Sequence, residues 1–428
     1  MNLFYQLTGY KKSEKAFIVP FILVSTLFFL WAFLHNTNPI LIPHLKKACL
    51  LSDTQSALID FSVYLAYFII ALPAGFFIRR FSYKSGILFG LFLYALGAFL
   101  FIPAASSQSF AFFLIALFII ASGATFLETV ANPYITLLGS PEKGAQRLNF
   151  AQSFNGVGAF IAPILGGKFI LTGVEYSKDE LAKMSPNQVQ QYLQSEANTV
   201  IWPYIIITIE VLAVAILIYF SKLPEVKNEK VTNKKEPIFS LHVFKYKQLR
   251  WAVITQFFYV GAQVGVGSFF IRYSKYVGDI PEKEAAYLWG SIAMVGFMAG
   301  RFIGTILMKF ISSNKLLLLY ALINILLLTL SITMHTSLAI YCMLAVPFFM
   351  SIMFPTIFAL GVEDLGDDAK LGSSFIIMAI VGGAIIPLFM GLISDTTHSI
   401  QLSYIVPLIC FVIVAFFGWK GYKPSLNE

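Results

Sequence analysis

Lys222–Arg250 reads KLPEVKNEKVTNKKEPIFSLHVFKYKQLR. It is the one long polar and basic stretch in a chain otherwise built of apolar runs, and its position decides the fold. A bilayer-crossing helix needs about 20 mostly apolar residues. About twelve such runs are present: 17–43, 55–80, 83–104, 108–138, 148–172 and 200–221 before the polar stretch, then 251–273, 284–310, 315–334, 337–361, 371–394 and 400–420 after it. Several exceed the minimum length, so tilted or broken helices are expected. The reading is an all-α membrane protein of about twelve transmembrane helices. They form two pseudo-symmetric six-helix bundles, residues 1–221 and 251–428, joined by a cytoplasmic linker at 222–250.

Composition agrees. Of 428 residues, 58% are hydrophobic and 12% charged, about half the charged share of a soluble domain. The net charge of +8 is unevenly spread. With the N-terminus placed inside, the cytoplasmic segments hold Lys11, Lys12, Lys15, Arg79, Arg80, Lys143, Arg147, Lys370 and the basic run of the central stretch. The outer segments hold far fewer. This asymmetry puts both termini in the cytoplasm and faces the excess charge toward anionic lipid, so no nucleic-acid partner is needed. The apolar run after Lys15 is read as a retained first helix, not a cleaved signal. Cys49, Cys342 and Cys410 lack metal-ligand spacing. Residues 173–199 are polar and outer, with a short amphipathic helix expected.

The two halves carry a weak repeat. Asn132–Gly139, NPYITLLG, resembles Phe354–Gly361, FPTIFALG, and Gly158–Pro163, GAFIAP, resembles Gly382–Pro387, GGAIIP. The first match pairs spans 4 and 10, the second 5 and 11. Homologous six-helix halves with substrate bound between them at the midplane are a transporter architecture.

Within span 4, Ala121–Gly139 reads ASGATFLETVANPYITLLG. Glu128 therefore sits far inside an apolar span. A carboxylate there is costly, rare and by default functional. Protonation removes the charge and most of the cost, so Glu128 is a candidate proton carrier; the alternative is a hydrogen bond to a neighbouring helix. Asn38-Pro39 in span 1 and Asn132-Pro133 in span 4 occupy equivalent places in inverted three-helix repeats. Proline frees a carbonyl, and such irregularity survives in a membrane only where it is buried or lines a wet cavity. In Arg147–Gly156, RLNFAQSFNG, the amides Asn149, Gln152 and Asn155 share one helix face; in Thr255–Gln263, TQFFYVGAQ, so do Gln256, Tyr259 and Gln263. Amides both donate and accept, which suits sugar hydroxyls, though bonding between helices is equally open. Asp60, early in span 2, is a second candidate proton group at about the depth of Pro39. Arg301 in span 8 reads as a structural charge, and Glu210 in span 6 has no evident role. There is no H-E-x-x-H, G-x-S-x-G or G-x-x-x-x-G-K-[ST]. No enzyme, cofactor, metal or ATP-driven pump is expected within the chain, and coupling energy has to come from an ion gradient.

Further stretches carry a resemblance: Phe-Leu-Trp31-Ala, Asn-x-Asn-x-Ile-Leu-x-Pro ending at Pro43, AYFIIALPAGFFIRRFSYKSGI, FLETVANPYITLLG, RLNFAQSFN, RWAVITQFFYVGAQ and GSSFIIMAIVGG. The chain resembles the major facilitator superfamily and, within it, the fucose–galactose–glucose proton symporters, over nearly its whole length. The resemblance implies alternating access and proton-coupled uptake of a neutral monosaccharide, L-fucose first, by a monomer in a bacterial inner membrane. It assigns a proton or sugar role to Glu128 and sets Gln152 and Asn155 near the sugar. Asn38, Asn132, Gln256, Tyr259 and Gln263 complete the expected substrate contacts. One departure matters: the family's span 1 acid is replaced by Pro39, so Glu128 acts alone or with another acid, Asp60 being the expectation. The superfamily's G-x-x-x-D-R-x-G is also degraded, with Gly75 present and Arg79 in place of the aspartate. Galactose, glucose or N-acetylglucosamine as substrate, Na⁺ as coupling ion, and a non-transporting sensor are the alternatives.

Overall fold

The computed structural model describes residues 17–51, 53–170, 180, 183–224 and 241–423; within these, side chains at 34, 38–40, 42, 43, 46, 47, 53, 54, 56, 57, 141, 163, 164, 166–168, 170, 282 and 283 are not described. The first half comprises α1 (Ile18–Ala48), α2 (Asp53–Arg80), α3 (Tyr83–Ser106), α4 (Phe110–Leu137), α5 (Gly144–Ile170) and α6 (Ile201–Phe220). The second comprises α7 (Lys247–Gly278), α8 (Glu284–Leu307), α9 (Ser313–Thr333), α10 (Ser337–Val362), α11 (Gly366–Thr397) and α12 (Leu402–Gly421). Among the described residues, 11 helices are long and apolar enough to cross a membrane. The twelfth, α5, has the length, 27 residues, but its apolar run is interrupted by Arg147, Asn149, Gln152 and Asn155.

Local sequence sets the ends. Ser82 and Ser109 cap α3 and α4, each accepting a hydrogen bond from a backbone N–H three residues on, which satisfies donors the helix leaves unpaired. Ser185 and Gln188 form a capping box on the short helix Pro186–Asn198, the amphipathic helix expected in the polar outer segment. Helix α7 begins inside the stretch expected to be linker, because a membrane helix continues past the apolar zone into the headgroup region where Lys and Arg are at home. Several spans are interrupted as their lengths suggested: α8 contains a π turn at Trp289–Ala293, α10 divides between Met350 and Met353, and α11 has a 3₁₀ turn at Ala379–Val381.

The helices pair alike in both halves: α3 with α4, α1 with α5, α2 with α4 and α3 with α6, matched by α9 with α10, α7 with α11, α8 with α10 and α9 with α12. Between halves, α2 packs on α11 and α5 on α8, contacts that interchange when the halves are swapped. Small residues allow this approach. A Cβ added at Gly75 would lie 1.8 Å from Ser374 Oγ, and one at Gly383 would lie 2.9 Å from the Tyr64 ring. The contacts gather toward the end that carries Arg79, Arg80 and Lys370.

Arg147, counted above among the charges of the cytoplasmic segments, is 0% exposed. Its guanidinium donates to the carbonyls of Ile135, Thr136 and Ser140 at 3.3, 2.7 and 2.8 Å. It therefore caps the carbonyl end of α4, where a helix dipole favours a cation.

Candidate functional site

Glu128 projects from the middle of α4 and is 7% exposed. The hydroxyl of Tyr67, on α2, donates to its Oε1 at 2.5 Å. An isolated carboxylate out of water costs several kcal/mol, and this bond offsets part of that for the charged form. One turn further along α4, Asn132 Nδ2 donates to the Glu128 carbonyl at 2.8 Å. Gln152 Nε2, on α5, then donates to Asn132 Oδ1 at 3.2 Å.

The chain of bonds continues into the other half. Arg301, on α8, is 4% exposed. Its Nη1 donates to the Gln152 carbonyl, to Gln152 Oε1 at 3.1 Å and to Asn155 Oδ1 at 2.9 Å, while Nε donates to the Ser351 carbonyl at 3.2 Å. The guanidinium also lies over the Phe297 ring, 4.6 Å from its centroid. No ion pair joins Arg301 and Glu128 among the described residues. Asn149, one turn before Gln152, donates to Thr356 Oγ1 of α10 at 3.1 Å. Thus the polar face of α5 is the seam between halves, and Glu128 is linked to it through backbone and amide groups.

The expected site residues do not all converge. Glu128, Asn132, Gln152, Asn155 and Arg301 form one bonded network. Gln256 is fully buried on α7, and among the described residues neither end of its amide has a hydrogen-bond partner. A buried amide left so costs about 1–3 kcal/mol unless a water or ligand meets it. Tyr259, one turn on, commits its hydroxyl to the Met350 carbonyl at 2.8 Å inside the second half. Gln263 is half-buried. Asp60 is exposed at the start of the α2 span, on the face that Tyr64 and Tyr67 share one and two turns on. The side chains of Asn38 and Pro39 lie outside those described. Glu210 is exposed on α6, and nothing in the structure explains it.

Tyr67 and His35 were not singled out above. Tyr67 lies seven residues after Asp60, so the same-face rule applied to that acid finds it. His35 follows Trp31 by one turn of α1 and carries no motif.

A helical fold of two like halves meeting around a buried acid and a seam of amides defines a secondary-transporter class. Residues 21–379 match the Major Facilitator Superfamily model. The chain is 43% identical over 422 residues to the L-fucose-proton symporter of Escherichia coli (strain K12), covering 97% of this chain and 95% of that protein. It is 40% identical over 408 residues to a glucose/galactose transporter of Brucella abortus biovar 1 (strain 9-941), covering 94% and 93%. A crystal structure of the transporter FucP in the outward conformation superposes with a TM-score of 0.88 at 41% identity, covering 95% of this chain and 99% of that one. The chain belongs to the Major Facilitator Superfamily and, within it, to the fucose–galactose–glucose proton symporter family. It is a multi-pass membrane protein of a transporter family, not an enzyme.

Proposed function

We propose that this chain is a proton-coupled symporter that imports a neutral monosaccharide, L-fucose first, by alternating access. The observation that carries this reading is the Tyr67–Glu128 pair, buried in one half and bonded through Asn132 and Gln152 to the arginine of the other. Glu128 takes a proton from outside. The neutral acid lets the loaded carrier close and rock inward, and release to the cytosol favours return. Residues 1–221 and 251–428 are the rocking bodies, with both termini cytoplasmic and the protein a monomer. Sugar hydroxyls meet the amides of Asn132, Gln152 and Asn155 from one side, and Gln256 and Gln263 from the other. Tyr259 and Asn38 complete the set.

Glucose or galactose is the second reading, favoured by the near-equal identities to the fucose and glucose/galactose relatives, 43% and 40%. Uptake into proteoliposomes under an imposed pH gradient tests the coupling, with labelled L-fucose competed by a sugar panel and Na⁺ replaced by choline. One proton per sugar gives about tenfold accumulation per pH unit. Glu128→Gln should reduce that ratio to about one while sparing sugar exchange. Accumulation that persists after the pH gradient is collapsed refutes the proposal.

A further inference from the structure

Glu128 Oε1 accepts from the Tyr67 hydroxyl, and Tyr67 is itself 1% exposed. The next question is what can supply a proton to that hydroxyl. Against the Tyr67 ring stands His35 of α1. Its imidazole meets the Tyr67 ring edge-on, with centroids 6.2 Å apart and planes at 89°. It meets Tyr64 in the same way at 6.4 Å and 79°. His35 and Tyr67 line one small cavity of ≈ 10 Å³ together with apolar side chains that include Trp31, Val63 and Leu117. That volume is about one water. Of the lining side chains only His35 and Tyr67 can exchange a proton. Among the described residues no hydrogen bond occupies either ring nitrogen of His35.

Among the described residues, the titratable side chains in ring contact with His35 are Tyr64 and Tyr67. Both lie on α2, which also carries Asp60. On α4 there is Glu128, bonded to Tyr67. Further along α1, His44 stands 3.7 Å from Glu196 of the short helix. Asp60 precedes Tyr67 by seven residues, about 10 Å along the helix axis. It is too far to protonate Tyr67 directly, and His35 lies against the two tyrosines that follow it.

We infer that His35 is the proton-carrying partner of Glu128, handing its proton over through Tyr67; the inference rests on the proton-symport reading above. The imidazolium N–H gives its proton to a water in the cavity, and that water protonates the Tyr67 hydroxyl oxygen. The proton already on that oxygen moves to Glu128 Oε1. Neutral imidazole, an unchanged tyrosine and a neutral carboxylic acid remain. One transfer thus removes a positive and a negative charge from between α1, α2 and α4. Histidine suits the task because an imidazole can take up a proton at one ring nitrogen and give one up from the other.

The test uses the full chain in proteoliposomes. First, adding sugar to the wild type must alkalinise a weakly buffered medium; a silent electrode overturns the symport reading before any variant is made. His35→Gln and His35→Asn keep a planar polar group without its titration. They should lose uphill accumulation at least about tenfold more than exchange, and the pH dependence of uptake should flatten. Tyr67→Phe, which removes only the hydroxyl, should show the same split. Wild-type pH dependence in either histidine variant overturns the inference. Parallel loss of exchange and accumulation also overturns it, since that marks a packing or sugar-contact role. So does a Tyr67→Phe protein whose accumulation and exchange stay in the wild-type ratio.

Discussion

Arg301→Lys is the substitution from which the seam between halves can be weighed. The two hydrogens on Arg301 Nη1 serve three oxygens of α5, on Gln152 and Asn155, while Nε holds Ser351 within its own half. A lysine keeps the buried charge but replaces a planar fork with a single shorter-reaching nitrogen. At least one bond across the seam is then lost. A hydrogen bond to a charged group is worth about 1.5–3 kcal/mol, a shift of about 10- to 100-fold in the balance between closed and separated ends. If the wild type separates about 1% of the time, the variant does so about 10–50% of the time. Spin labels at Phe81→Cys and Asp367→Cys, both exposed and flanking the α2–α11 contact, read this out. Cys49, Cys342 and Cys410 are first changed to alanine. A single short distance is expected in the background, and a second, longer population with Arg301→Lys. Superimposable distance distributions would refute the idea that the guanidinium fork holds the halves together.

Three further outcomes follow from single contacts. Gly75→Ala brings a Cβ to 1.8 Å from Ser374 Oγ, so transport should slow several-fold; Ser374→Ala should restore much of it, and no rescue means the clash lies elsewhere. Gln256→Leu removes a buried amide with no partner, so thermal unfolding should show a gain of about 1–2 kcal/mol. If the amide serves sugar, half-saturation should also rise about tenfold, and an unchanged value removes Gln256 from the sugar site. Asp60→Asn should weaken uphill uptake if Asp60 feeds protons to the α2 face; full proton-driven accumulation by that variant excludes it.

The proposed proton site and the seam between halves share one chain of hydrogen bonds. The Glu128 carbonyl accepts from Asn132, Asn132 from Gln152, and Gln152 from Arg301. If Glu128 is the proton site proposed above, its change of charge falls on the helix whose Asn132 and whose neighbour Gln152 also hold the second half. Sugar hydroxyls competing for the same amides would act on the same bonds. This shared use gives proton and sugar a common element to bias, which coupling between two ligands requires.

Much of the architecture was legible without coordinates. Apolar runs of bilayer length, the basic stretch at 222–250 and the match of NPYITLLG with FPTIFALG follow from hydropathy and repeat alone. So did the choice of Glu128, because the cost of a carboxylate in hydrocarbon depends only on the residues around it in its own helix. Helical spacing also put Asn149, Gln152 and Asn155 on one face. It did not say which side chains that face would meet. Gln152 and Asn155 prove to be bonded to Arg301, 149 and 146 residues away. Tyr67 meets Glu128 across 61 residues, and Arg147 turns inward to cap α4. Periodicity is a property of one helix and can be read from it. Partnership between helices depends on rotation and crossing, which are set by packing at glycines such as Gly75 and Gly383 and at the breaks in α8, α10 and α11. That information is spread over the whole chain, so only the folded structure decides it.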